Sequence, residues 1–492
     1  MCARPCGSAL RAGAGCALRA FGLRRALRAA GSRRGASPAL TVPVGLVVGG
    51  RVALRPPATS AVRLSAAADR GWSPVRDLTE IRGLPAGIKT LALTQLAFNV
   101  GFFAVLPYLA AHLGQGGLGM GGWLVGLVLG LRTFSQQGLF VVGGALTDRY
   151  GPRPVTLTGC ALRIAGFAWL GYAQSTAAVI GAVLVVGFAA ALFSPAVESE
   201  TARQAVRHEE ATGHPRARTL AVFSAAGQAG SFLGPLLGSL LLLADFRAAC
   251  LAGALVFVAV LAAQWRHMPR RAPRHTASPT GTGTGKPRAA TRSVLANPAF
   301  LLVCCGYSTY LLAYNQLYLA LPEEVVRATG SQAALGWLFA LSSLLVVCAQ
   351  LPVTRRAGAR SDHRGTLCAG LLVVAASFAV VACAAPFGPT GPYGLLPAAG
   401  YVLLLTLGQM LAVPAARALV TEHVPERHLG FAMGAMSSLS GLVVLGGSSA
   451  TGALLGSGLG QGTVWAVLAA VPLLGALAAR AIPAAAPPSP PR

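Results

Sequence analysis

Two arginines, Arg132 and Arg163, stand inside long apolar stretches of the chain. A guanidinium in such a setting is costly unless it faces a cavity or a partner. Arg132 is therefore the first candidate for contact with an anionic group of a ligand, or for a gate to a movable carboxylate. The competing reading is a structural bond to neighbouring carbonyls and glutamines. Glu198 and Glu200 follow Pro195 at the end of another apolar stretch, where partial burial would suit them to exchange a proton; a solvated helix end is the alternative. Gln95, Asn99, Gln136, Gln137, Tyr307, Tyr310, Tyr314, Asn315, Gln316, Gln350 and Gln409 offer hydrogen-bonding groups and ring faces that could hold a small molecule or bond helix to helix. No carboxylate or histidine falls in the middle of any apolar stretch, and the eight histidines lie in loops or near stretch ends. A nucleophile with its base, or a metal cluster, has no place to form, so an enzyme is not expected. Ten cysteines are scattered without C-x-x-C spacing and read as small packing residues, with no disulfide, no metal and no cofactor.

Composition says what must position these groups. Of 492 residues, 54% are hydrophobic and 11% charged, against about 25% charged in ordinary globular domains, too few to clothe a water-facing surface. Apolar runs of about 20 residues, long enough to cross a hydrocarbon layer of ~30 Å, fall near 86–111, 121–144, 154–173, 177–197, 219–243, 246–265, 298–321, 333–353, 366–386, 394–415, 430–452 and 463–482. The expectation is an all-α membrane protein of twelve transmembrane helices, in two six-helix bundles at 84–265 and 298–482. The polar, basic stretch 266–297 reads as the linker between them, and 483–492 as a disordered tail. Arg149, Arg153, Arg203 to Arg218, the linker, Arg355 to Arg364, Arg417 and Arg427 all fall on one side of this topology, so both termini are expected in the cytoplasm. The net charge of +26 is then a basic membrane face, and nucleic acid is not an expected partner. Residues 1–83 are basic and expected to pack little. A transit peptide, a disordered cytoplasmic extension and translated sequence upstream of the true start compete for them. The preference for Arg over Lys, with the Ala, Gly and Pro bias, suggests a GC-rich bacterial genome and hence an inner membrane; a monomer is expected.

The two halves repeat. Gly122-Trp123-Leu124 with Gln136 recurs as Gly336-Trp337-Leu338 with Gln350 at the same spacing. Pro107 and Pro322 each follow an asparagine, Asn99 and Asn315, by about two helical turns, and Pro195 and Pro414 mark the fourth and tenth spans. Six spans separate each pair, so the bundles share one topology and relate by an axis along the membrane normal.

The loop after the second span, from Gly144 through Asp148-Arg149-Tyr150-Gly151 to Arg153, resembles the G-x-x-x-D-R-x-G signature of the major facilitator superfamily, where such contacts latch the halves in the outward-facing state. Pro152 stands where a basic residue is usual, which weakens the charge cluster. In the fifth span, Gly230, Gly234, Pro235 and Gly238 resemble the G-x-x-x-G-P-x-x-G motif of the family's antiporters; glycines four apart let a neighbouring backbone approach, and the proline bends the helix. The stretch Gly126 to Gly151, with Gly101 to Pro107, Arg163 to Phe167 and Asp245-Phe246-Arg247, is similar to the MdtH-type multidrug-resistance drug:proton antiporters. The resemblance implies alternating access about a mid-membrane site, with protons and a hydrophobic or amphipathic small molecule as partners; the polar and aromatic set above comes from the spans that line the family's cavity. Two departures leave the coupling residue open: Thr94 and Gln95 stand where an acid is common in the first helix, and Val183 where an arginine is common in the fourth. A metabolite exporter or facilitator without proton coupling is the alternative, and a membrane scaffold or membrane-embedded enzyme the reading from a different class.

Overall fold

The computed structural model describes residues 84–114, 117–213, 216–268, 294–358, 362–425 and 428–483. The expectations for 1–83, for most of the linker and for the final residues lie outside the described residues. Twelve long helical segments follow in order: α1 (Ala86–Leu113), α2 (Gly122–Tyr150), α3 (Pro152–Tyr172), α4 (Thr176–Thr212), α5 (Arg216–Leu241), α6 (Phe246–His267), α7 (Pro298–Thr329), α8 (Ala333–Gly358), α9 (His363–Ala384), α10 (Gly391–His423), α11 (Leu429–Leu455) and α12 (Gln461–Arg480). Some helix starts carry side-chain caps: Ser175 Oγ accepts from the Ala178 amide, the Asp362 carboxylate from Gly365, and Asn297 Oδ1 from Ala299. Gly151, at φ 86, makes the left-handed turn from α2 into α3, and Pro152 opens α3 at the position where a missing N–H does no harm.

Length and composition alone qualify ten of these segments as membrane spans, and α3 and α7 are not among them. The reason is chemical. α3 carries Arg153 and Arg163, and α7 carries four tyrosines with Asn315 and Gln316. These polar groups lower the mean hydropathy of the two spans. Several helices outrun the expected spans, α7 to Thr329, α8 to Gly358 and α10 to His423 among them, and two differences are larger in kind. α2 is interrupted between Gln137 and Phe140, where Ser438 Oγ of α11 donates to the Gly138 carbonyl at 3.0 Å and satisfies a broken helical ladder. α4 runs on to Thr212, well past its apolar run, as a polar helix closed by Gly213 in the left-handed conformation; the hydropathy signal ends where the lipid does, but the backbone hydrogen bonding need not.

The first bundle packs α1 on α5 and α6, α3 on α4 and α6, and α2 on α4. The second packs α9 on α10 and α12, α7 on α10, α11 and α12, and α8 on α10. They meet along α2 with α11, α5 with α8, and α1 with α7, whereas α4 and α10 are not closely packed. The face bearing the α2–α3 turn, where the arginine-rich loops emerge, is termed the basic face below.

Candidate functional site

At mid-depth α2 and α7 meet through a chain of side chains that links the bundles. Arg132 on α2 is 6% exposed; its Nη2 donates to Gln136 Oε1 one turn on, and its guanidinium sits 4.6 Å from the centre of the Phe102 ring of α1. Beside it Thr133 Oγ1 donates to Asn315 Oδ1 of α7 at 3.0 Å, and Asn315 Nδ2 donates to Ser448 Oγ of α11 at 2.8 Å. Tyr307, Tyr310, Tyr314 and Tyr318 climb one face of α7 with ring centres about 6 Å apart, as spacings of three and four residues require, and the Tyr314 and Tyr318 hydroxyls are 3.3 Å apart. Arg132, Tyr310 and Asn315 are buried, whereas Gln95, Asn99, Gln136, Gln137 and Tyr314 are only half-buried. The cluster thus presents a cation, amides, phenols and ring faces toward the seam between bundles. That set can hold an anionic or hydrogen-bonding group against an aromatic wall.

Away from the basic face the seam is shut. Gly122, Gly126 and Gly130 of α2 lie against Gly452, Ser448 and Leu445 of α11, so close that a Cβ at Gly126 would stand 2.0 Å from the Ser448 carbonyl oxygen. Gly336 at the start of α8 meets the Pro235 carbonyl and Ser239 of α5 in the same way. Between these contacts Tyr318 stacks on Phe339 of α8 with ring centres 5.7 Å apart, and Phe103 meets the same ring at a tilt, 6.2 Å away. Toward the basic face α2 and α11 stay in contact as far as Val141 and Gly434, but α4 and α10 stand apart. Glu198 on α4 and Arg417 on α10 are exposed, three residues after Pro195 and Pro414 respectively, so the repeat sets opposite charges at equivalent positions of the two bundles. Arg417 also lies beside the Tyr307 hydroxyl. Glu200, by contrast, is 2% exposed and fully engaged, accepting from Arg203 at 3.1 Å and from Gln204 at 3.0 Å.

The motif residues divide. Asp148 and Arg149 are exposed, Arg149 stacks on its neighbour Tyr150, and a Cβ at Gly144 would meet nothing within 4 Å, so the loop does not engage α11 in this conformer. Arg153 turns the other way, donating to the Trp265 carbonyl of α6 at 2.7 Å. In α5, Gly230, Gly234 and Gly238 face α1 rather than the other bundle, each against a backbone carbonyl of Leu96, Val100 or Ala104. Tyr108 of α1 donates to the Pro235 carbonyl at 2.6 Å and fixes that seam. Gln95 and Asn99 lie on the same seam, against Gly227. Gln350 bonds Thr354 of its own helix and is not brought to Arg132.

Arg163 is 1% exposed and belongs to the first bundle's core. Its Nη1 donates to the Val186 carbonyl of α4 at 2.8 Å, and four rings surround the guanidinium: Phe98, Phe102, Phe167 and Phe257, at 5.0 to 5.4 Å. Its Nε and Nη2 find no hydrogen-bond acceptor, and the ring faces supply the compensation instead. Sequence reasoning missed Thr133, Ser448 and Tyr318, whose residue types are ordinary in helices. It also placed Arg417 among the loop cations; its distance from Pro414, equal to that of Glu198 from Pro195, was the signal that could have found it.

The sequence profile of the Major Facilitator Superfamily matches residues 35–214, 139–322 and 303–492. An MFS-type transporter of Mycobacterium tuberculosis, Rv0849, is 36% identical over 388 residues, covering 76% of this chain and 87% of its own. The multidrug resistance protein MdtH of Aeromonas salmonicida is 32% identical over 363 residues, covering 71% and 85%. Among solved structures, the peptide transporter POT with sulfate superposes with a TM-score of 0.66 at 16% identity, over 81% of this chain and 94% of that one. The nucleoside transporter NupG gives 0.64 at 12% identity, over 80% and 98%.

Proposed function

The chain belongs to the major facilitator superfamily, and from that premise we propose that it is a bacterial inner-membrane exporter that exchanges a small amphipathic or hydrophobic molecule for protons by alternating access. One observation carries the reading: the Arg132–Thr133–Asn315–Ser448 cluster joins the bundles at mid-depth, with a shut seam on one side and a partly parted one on the other. A molecule held there would be reached from the basic face, where α4 and α10 stand apart. Rocking the bundles would open the α2–α11 and α5–α8 contacts and bring α4 toward α10.

Glu198 is the proton-exchanging group in this proposal. It is reached by solvent, stands opposite a cation of the other bundle and, unlike Glu200, has no hydrogen bond among the described residues to hold its charge in place. An ion pair of Glu198 with Arg417 would close the basic face, and a proton on Glu198 would release it. The test is accumulation of a panel of dyes and antibiotics in cells expressing the protein, with and without a protonophore. Expression lowers accumulation of at least one amphipathic compound, and the protonophore restores it. Lowered accumulation that ignores the protonophore would favour a facilitator instead, a reading to which Thr94 lends support: where the family often has an acid, it only accepts from Gln264 at 2.7 Å.

A further inference from the structure

Between α3 and α6, on the outer surface of the first bundle and away from the seam, runs a groove of about 1340 Å³ that alternating access does not use. Its floor is made by residues at helical spacing on both sides, Leu157 and Ala161 on α3 and Val258 and Ala262 on α6. Apolar residues on facing stripes, with alanines at 161 and 262, leave a trough about 12 Å long at 1.5 Å per residue, the form of an acyl chain rather than of a compact solute. The mouth of the trough lies at the basic face, where Arg153, Arg266 and His267 converge. Arg266 and His267 are exposed, and Arg153 is held in place by its bond to the Trp265 carbonyl and by stacking over the Trp265 indole at 5.6 Å. Trp265 is itself 62% exposed, as an indole at the depth of lipid headgroups is expected to be. Among the described residues no carboxylate lines the groove. Cations at one end and an apolar channel behind them match one molecule in a bilayer, an anionic phospholipid with its phosphate at the mouth and one chain along the floor.

We infer that this α3–α6 groove is a binding site for an anionic phospholipid of the leaflet on the basic face. It ties the ends of α3 and α6 together just beyond the turn that carries Asp148 and Arg149, so an occupied groove would stiffen the base of that turn. The experiment is native mass spectrometry of the full-length protein released from nanodiscs of equal phosphatidylglycerol and phosphatidylethanolamine. The parent chain should retain phosphatidylglycerol about tenfold over phosphatidylethanolamine. Arg153→Gln with Arg266→Gln should bring the ratio to about one. Ala262→Phe fills the trough at a lipid-facing position and leaves the cations intact; it should lower retention of both lipids, with unchanged thermal melting showing that the fold survives. Equal retention of the two lipids by the parent chain would overturn the inference, as would retention by Ala262→Phe at the parent level. Displacement by inorganic phosphate alone would also overturn it, since a headgroup anion would then suffice without its chain.

Discussion

Gly126→Ala offers the sharpest perturbation of the shut seam. The added Cβ would stand 2.0 Å from the Ser448 carbonyl oxygen and 2.8 Å from its carbon, and both are backbone atoms that no side-chain rotation can move. Ordinary contact at 3.4 Å therefore requires α2 and α11 to part by about 1.4 Å, and overpacking of this kind costs about 1–3 kcal/mol. In a chain with two states, that penalty falls only on the conformer whose seam is shut. At 1.4 kcal/mol per factor of ten, the equilibrium moves about 5- to 150-fold toward the conformer open on the opposite face. Trp123 on α2 and Trp337 on α8 are exposed at that face, in different bundles, and accept spin labels without disturbing packing. Pulsed dipolar distances between labels at the two positions should show a longer population growing in Gly126→Ala. Gly446→Ala, where a Cβ meets nothing within 4 Å, supplies the control. An unchanged distance distribution in Gly126→Ala with the fold intact would refute the assignment of this seam as the moving contact.

Gly144→Ala should act with the opposite sign, because Gly144 is unencumbered here and, by the family resemblance, crowded only when the basic face closes; the same labels should report a loss of any longer population. Arg163→Met keeps the aliphatic volume and removes a buried charge, so unfolding in mixed micelles should stay within about 1.5 kcal/mol of the parent. Arg163→Ala should lose about 3 kcal/mol or more through the cavity left among four phenylalanines; equal losses in the two variants would argue that the charge itself is needed. Thr133→Ala and Asn315→Ala form a double-mutant cycle across the bundles, with a coupling of about 0.6 kcal/mol expected for a hydrogen bond inside a membrane protein. Strict additivity would mean that the two side chains do not interact in the membrane.

Most of the fold was legible because lipid imposes a simple grammar: each apolar run of about 20 residues had to be a helix. The repeat of Trp123 and Trp337 and the paired prolines gave the relation between halves. Hydropathy could not show the break at Gly138, which depends on Ser438 three hundred residues away, nor the polar extension of α4 to Thr212. At the site, Arg132, Gln136, Tyr310, Tyr314 and Asn315 stood out because polar groups are rare in such runs. The cage around Arg163 was invisible, since Phe98, Phe102, Phe167 and Phe257 come from three helices and only packing brings them together. The opposed charges of Glu198 and Arg417 were hidden for a related reason, since loop cations and span-end cations look alike in a sequence.

The most direct test of proton-driven export is transport by the purified protein in proteoliposomes under an imposed pH gradient, using a compound drawn from the accumulation panel. Substrate should enter vesicles whose lumen is acidic, stop when the gradient is collapsed, and lose this dependence in Glu198→Gln. Uptake at the same rate with and without the gradient, in the parent chain as in the variant, would contradict proton exchange through Glu198.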